Sequence, residues 1–216
     1  FMTARAAQTL FKGIMKLPQG HRAIVNEHGA ITVEEYWDVF DSAQSDATYS
    51  ADENAERVRA GLRDSVRMRM VSDVPFGVLL SGGIDSSTNV ALMAAEMDRP
   101  VQTFSIGYKG LGVEEFNELH HARRVAERFG TEHHEMVIGR DDLINFLPDM
   151  VYHQDEPIAD PVCVPVHYLC KLAKESGTSV VQVGEGSDEL FGGYSHWLAA
   201  LRLREGAWSA FGSLPS

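Results

Sequence analysis

Apolar residues recur along the chain at spacings that separate helices from strands. Ala55, Val58, Leu62, Val66 and Met70 follow one another at intervals of three and four, which predicts an amphipathic helix. Ser50 and Glu53 pair as a capping box at its start. Residues 76–80 form a continuous apolar run, as expected of a strand covered on both faces. A glycine-rich turn follows, then a predicted helix over 88–97 and a strand over 101–106. The next helix is predicted over 114–129, with Phe116, Leu119, Ala122, Ala126 and Phe129 on one stripe and Gly130 as its stop. Beyond it come a short strand at 135–138, a helix at 141–152 capped by Asp141, and a helix at 162–175 stopped by Gly177. A β-branched strand at 179–183 and a helix from Asp188 onward complete the pattern. Ahead of all these, 22–27 and 31–38 read as two short strands around the His28-Gly29 turn, and 42–50 as a polar linker. The alternation predicts an α/β fold: a doubly wound parallel sheet of about five strands with helices on both faces.

Composition narrows the function classes. The 216 residues suffice for one well-buried domain and a small appendage, and 44% hydrophobic with 23% charged residues is ordinary for a globular protein. A net charge of −12 argues against a nucleic-acid-binding face, which needs clustered Lys and Arg. It does not exclude a nucleotide, whose phosphates can be held by backbone amides and whose magnesium can be held by acids. No apolar run reaches the roughly 18 residues of a membrane span. Cys163 and Cys170, seven apart on one predicted helix, stand about 10 Å apart, too far for a disulfide. They read as separate packing thiols, and a reducing cytoplasm is the expected location.

Two segments carry chemistry. The first is Ser81-Gly82-Gly83-Ile84-Asp85-Ser86-Ser87, which follows the buried strand at 76–80. Beyond the carboxyl end of a strand in an α/β sheet is where ligands sit. The glycines let backbone approach an anion, the following helix offers unpaired N–H groups, and the serines add hydroxyls. Asp85 would repel bound phosphate unless magnesium lay between them. The segment has neither the G-x-x-x-x-G-K-[ST] nor the G-x-G-x-x-G pattern, which disfavours γ-phosphoryl transfer and dinucleotide binding. S-G-G-x-D-S resembles the loop of the ATP pyrophosphatase superfamily, whose members cleave ATP between the α- and β-phosphates. The second segment, Gly184-Glu185-Gly186-Ser187-Asp188-Glu189-Leu190-Phe191-Gly192-Gly193-Tyr194, repeats the strand, glycine turn and helix arrangement with acids in place of hydroxyls.

Together the two segments resemble the synthetase domain of the asparagine synthetase family. Residues 155–161 (Asp-Glu-Pro-Ile-Ala-Asp-Pro) are also similar to that family, and 11–20 are similar to the end of the glutaminase domain that precedes the synthetase. The resemblance implies a glutaminase remnant and linker over 1–50 and an ATP pyrophosphatase domain over 51–216, cut short at its C-terminus. It also implies that ATP and Mg2+ bind. Ser81, Gly82, Gly83, Asp85, Ser86 and Ser87 would hold pyrophosphate, and Asp85 and Asp188 the metal. Leu79, Ile106 and the backbone at Gly184 would flank adenosine, and Glu185 would deprotonate the incoming amine. The expected partners are a small carboxylate substrate such as aspartate and ammonia from a glutaminase domain missing here, with no nucleic acid and no membrane. A homodimer is compatible with the pattern.

The chain departs from the family at three points. No cysteine precedes Cys163, no counterpart of the family's downstream lysine occurs before Ser216, and Val183 stands where many relatives have serine. Ring-closing β-lactam or macrolactam synthetases, sulfur-transferring or tRNA-modifying pyrophosphatases, and a nucleotide-binding module without catalysis are the competing readings. His120-His121 and His133-His134 lack metal-ligand spacing and read as solvated or hydrogen-bonded. Glu114, Glu115 and Glu118 fit the positive end of a helix. For Asp155, Glu156 and Asp160, helix capping and a substrate role stand equal. Trp197 and Trp208 read as core or interface aromatics.

Overall fold

The structure is a computed structural model, and it describes residues 7–40, 49–110, 112, 117–154, 158 and 160–204. Its contacts divide the chain into one unit of residues 1–61 with 141–165 and another of 62–140 with 166–216.

In the first unit, β1 (His21–Val25) and β2 (Ile31–Glu35) form an antiparallel hairpin in which His21 faces Glu35 and Val25 faces Ile31. Asn26 closes the turn, its side-chain oxygen accepting the N–H groups of His28 and Ala30. Helix α1 (Ala51–Arg69) begins with the predicted capping box: Ser50 N–H donates to Glu53 Oε2 at 2.8 Å and Glu53 N–H to Ser50 Oγ at 3.3 Å. Of its predicted stripe only Val66 is buried, with Met70 packed beside it; Val58 and Leu62 are exposed. Helix α4 (Arg140–Gln154) starts one residue ahead of Asp141, so Asp141 lies inside the first turn and does not cap it.

The second unit carries a four-stranded parallel sheet in the order β5-β4-β3-β6. Its strands are β3 (Phe76–Leu79), β4 (Gln102–Tyr108), β5 (Glu132–Ile138) and β6 (Val180–Gln182). These are the strands that the pattern placed, one fewer among the described residues than the five expected. Alternation along β3 divides the core. Phe76, Val78 and Leu80 pack on one face with Val66 of α1, Val90 and Met93 of α2 (Ile84–Glu96), and Ala122 and Ala126 of α3 (Leu119–Phe129). Leu79 points to the other face, with Phe104, Ala173 and the partly buried Leu169 and Leu172 of α5 (Cys163–Glu175). The sheet is therefore covered on both sides, and the all-apolar sequence of β3 has a physical cause.

The starts of two helices differ from the pattern by several residues, and the helix expected from Asp188 onward is broken in two at Gly192. Helix α2 begins at Ile84 and not at 88, which brings Asp85, Ser86 and Ser87 into its first turn. Helix α3 begins at Leu119, with Glu118 ahead of it as the capping position; Glu114, Glu115 and Phe116 lie outside the described residues. It ends as expected at Gly130, whose φ of 62° places it in the left-handed region. The last elements are α6 (Ser187–Phe191) and α7 (Ser195–Leu203). Trp197 on α7 is exposed and packs edge-on against Tyr194, so it is no core residue, and Trp208 lies outside the described residues. Both cysteines are free thiols as expected, but Cys163 is only half-buried and Cys170 is exposed.

Candidate active site

Strands β3 and β6 are adjacent and parallel, with Val78 opposite Gln182. Both chemistry-bearing segments therefore leave the same edge of the sheet side by side. Leu80 is held at the end of β3 from both sides of its peptide: its N–H donates to Phe104 O at 2.8 Å, and its carbonyl accepts the Ser105 hydroxyl. Ser105 is 2% exposed and was not singled out from the sequence. It anchors the residue from which the phosphate loop departs.

The loop is braced internally. Ser86 Oγ accepts the Ser81 N–H at 3.2 Å and lies 3.0 Å from Ser81 Oγ, while Ser81 Oγ accepts the Gly83 N–H at 3.2 Å. These two hydroxyls shape the turn. Ser87 differs: its Oγ is buried with no hydrogen-bond partner among the described residues. Such a group costs roughly 1–3 kcal/mol when left unsatisfied, unless a ligand supplies the partner. Gly83 is the N-cap of α2, and no side chain caps that helix end. Its first N–H groups and the positive end of its dipole are left for an anion.

Gly82 is fixed by two constraints. Its φ is +87°, and a Cβ there would lie 2.6 Å from the backbone nitrogen of Ala122 and 2.6 Å from His121 Cβ. The phosphate loop is thus seated directly on the first turn of α3. Gly184, which opens the second loop, makes a similar approach. A Cβ on Gly184 would stand 3.0 Å from Asp85 Cβ and 3.2 Å from the Ser86 nitrogen. The backbone of one loop touches the first helical turn of the other.

The acids cluster beyond Gly184. Asp188 is in the first turn of α6, its Oδ1 lying where a Cβ on Gly193 would fall. Tyr194 donates its hydroxyl proton to Glu189 Oε1 at 2.7 Å. That bond, with the charges of Glu189, Asp188 and Glu185, pushes the Tyr194 hydroxyl up to about 12. The same bond holds the Glu189 carboxyl below its usual range. Glu185 and Asp188 are exposed, as befits groups that meet a ligand from solution. Of the remaining expected residues, Leu79 is buried against α5 and Ile106 is half-buried on β4, paired with Met136 of β5.

His133 is hydrogen-bonded, as the sequence suggested, in a second polar cluster whose other members were not singled out. Arg123 grips Glu135 with two hydrogen bonds of 2.8 and 2.6 Å, and Glu135 Oε1 lies 3.1 Å from His133 Nε2. His133 Nδ1 is 2.9 Å from Thr103 Oγ1, which in turn lies 2.8 Å from Thr131 Oγ1. Burial pushes His133 below its ordinary value despite the neighbouring carboxylate, and the Arg123 guanidinium holds Glu135 down. The cluster ties α3, on which Gly82 rests, to β4 and β5. Asp160 Oδ1 accepts the Val162 N–H at 2.9 Å in the turn just ahead of α5; Asp155 and Glu156 lie outside the described residues. Among the described residues no three His, Cys, Asp or Glu side chains converge as a metal cluster, and no helix is long and apolar enough to cross a membrane.

Two glycine loops in backbone contact, one braced by hydroxyls and the other loaded with acids, now have a counterpart elsewhere: residues 57–215 match the family described as Asparagine synthase. The chain belongs to the asparagine synthase family. It is similar to asparagine synthetase [glutamine-hydrolyzing] 1 of Bacillus subtilis, 38% identical over 197 residues, covering 91% of this chain and 30% of that protein. It is also similar to a putative asparagine synthetase [glutamine-hydrolyzing] of Mycobacterium tuberculosis, 36% identical over 198 residues with the same two coverages. The chain thus spans about a third of the length of the curated relatives it matches. Among solved structures it is similar to an NH3-dependent NAD synthetase from Campylobacter jejuni, with a TM-score of 0.42 and 15% identity over 65% of this chain and 60% of that one, a likeness too slight to bear on chemistry.

Proposed function

We propose that this chain is the ATP-binding, carboxylate-activating part of an asparagine-synthetase-like ligase, with residues 51–216 forming the ATP pyrophosphatase domain and 1–50 the end of a preceding glutaminase domain. The reading is carried by the contact of Gly184 with Asp85 and Ser86, because it sets an anion-binding helix end against an acidic turn. The residues fit the groups the family would require. The uncapped α2 N-terminus and the unsatisfied Ser87 hydroxyl suit a phosphate, and two Cβ-less approaches leave the backbone bare. Asp85 and Asp188 would hold magnesium, whose coordination is completed in such sites by phosphate oxygens and water. When bound, that ion would neutralise charge building on the pyrophosphate.

In this reading the α2 N–H groups, Gly82, Gly83 and Ser87 receive the β- and γ-phosphates of the substrate ATP. A carboxylate oxygen of an aspartate-like substrate forms a bond to the α-phosphorus as the bond to pyrophosphate breaks, giving an acyl-adenylate. Ammonia nitrogen then attacks the acyl carbon and expels AMP, while Glu185 takes the proton that nitrogen loses. Leu79, Ile106 and Gly184 flank the adenosine. The ammonia would come from glutamine hydrolysed by a separate domain, and the setting would be the cytoplasm. Positioning and charge stabilisation account for the rate. Incubating a full-length version of the protein with ATP, Mg2+, aspartate and ammonia should yield AMP and pyrophosphate; formation of ADP would refute the α-phosphorus assignment.

A further inference from the structure

We propose that the cleft along the outer side of α3 is an accessory site for a small phosphate-type oxyanion, inorganic pyrophosphate in the first instance. It goes beyond the reaction above, since it needs neither nucleotide nor acyl substrate. The cleft has a volume of about 290 Å3 and is walled by Gly82, His121, Arg124, Val125, Arg128 and Phe129. All but Gly82 lie on one stripe of α3 at helical spacing, so Arg124 and Arg128 leave the helix one turn apart, with Cβ atoms roughly 5–6 Å from each other.

Three features give the cleft a ligand class. First, in a chain with 31 acidic and 19 basic residues, Arg124 and Arg128 have no ion pair among the described residues, whereas the adjacent Arg123 is fully engaged by Glu135. Both arginines border one concavity, and no carboxylate lines it. Second, Val125, which is half-buried, and Phe129 add an apolar strip to the wall between and beside the arginines, along which their aliphatic stems can lie. Third, the space is too small for a helix or strand of a partner but ample for pyrophosphate. Two forks set a turn apart match an anion with oxygens on both ends, which a single carboxylate lacks.

The site is tied to the phosphate loop through Gly82 alone, the one residue both share, and Gly82 is seated against His121 and Ala122. Calorimetric titration of the chain with inorganic pyrophosphate, without nucleotide, tests the proposal. Arg124→Ala with Arg128→Ala should weaken pyrophosphate binding at least tenfold, while Ser87→Ala keeps that component. Both arginines are exposed, and unchanged thermal melting of the double variant would verify that it folds. Arg124→Lys with Arg128→Lys, which keeps charge but loses the forks, should bind more weakly than the parent. Equal binding by parent and double-alanine variant would overturn the proposal. So would equal loss in Ser87→Ala, or full retention in the lysine pair. Failure of AMP formation would refute the proposed reaction and leave this result standing.

Discussion

Gly184 and Asp85, ninety-nine positions apart in sequence, are separated by so little that a Cβ on the first would stand 3.0 Å from the Cβ of the second. Gly184 does not occupy the left-handed region, so its backbone tolerates alanine, and the cost falls on the contact. Gly184→Ala should lower stability by about 1–3 kcal/mol, because the neighbours, two of them backbone atoms, must yield by a few tenths of an ångström. Nucleotide affinity, measured by calorimetry, should fall tenfold or more as the two loops are pushed apart.

Gly82→Ala should behave differently. A φ of +87° and a 2.6 Å approach to the Ala122 backbone leave no room for adjustment. Left-handed strain alone costs on the order of 1–3 kcal/mol. Denaturant unfolding should show at least that loss, with nucleotide binding abolished.

Ser87→Ala should separate stability from binding. Removing a buried hydroxyl that has no partner relieves an unmet polar group, so the midpoint of unfolding should stay level or rise, by up to roughly 1 kcal/mol. Phosphate binding at the loop should weaken in the same variant. A clear loss of stability would show that the hydroxyl is satisfied in the native protein.

The His133 cluster predicts a pH dependence of folding. Burial lowers the folded value of His133 below its usual 6.5, so the unfolded chain takes up a proton first as the medium acidifies. The stability that neutral His133 contributes is complete above pH 6.5 and is lost as pH falls from there through the folded value. Denaturant midpoints at pH 7.5, 6.5 and 5.5 should decline by less than about 1 kcal/mol after solvent screening. His133→Asn should flatten that segment of the curve.

Tyr194 offers a spectroscopic check on the acidic turn. With its hydroxyl raised to about 12, it should ionise well above the ordinary tyrosine range in an alkaline absorbance titration. Glu189→Gln should bring that ionisation down toward the ordinary value, since the hydrogen bond to the carboxylate is the leading cause.

The sheet and both loops were legible because their signals are local. Residues 76–80 and 179–183 are short apolar runs ending in glycine turns, and Gly130 sits at the left-handed position that a helix stop requires. The start of α2 was misplaced because its N-cap is Gly83, with no side-chain cap to announce it; the hydroxyls and carboxylate that look like loop residues are its first turn. The α3 start was misplaced because Glu118 fits a helix by propensity yet serves only as the capping position. Ser105 and Arg123 were missed because their roles depend on register and on a partner 25 and 12 positions away, which no local pattern records. The placement of Gly184 against Asp85 follows from strand order, and neighbouring residues cannot reveal strand order.

That order makes the pairing of Val78 with Gln182 a ruler for the chemistry. Each residue of a strand advances about 3.3 Å, and a one-residue slip turns every side chain to the opposite face. A displaced β6 would carry Gly184 and the acids behind it past the first turn of α2, and would move the buried Gln182 amide from the Val78 layer into the one that holds Leu79 and Phe104. Misalignment is thus penalised by the interior first, and the spacing of the two glycine loops is inherited from how hydrocarbon packs.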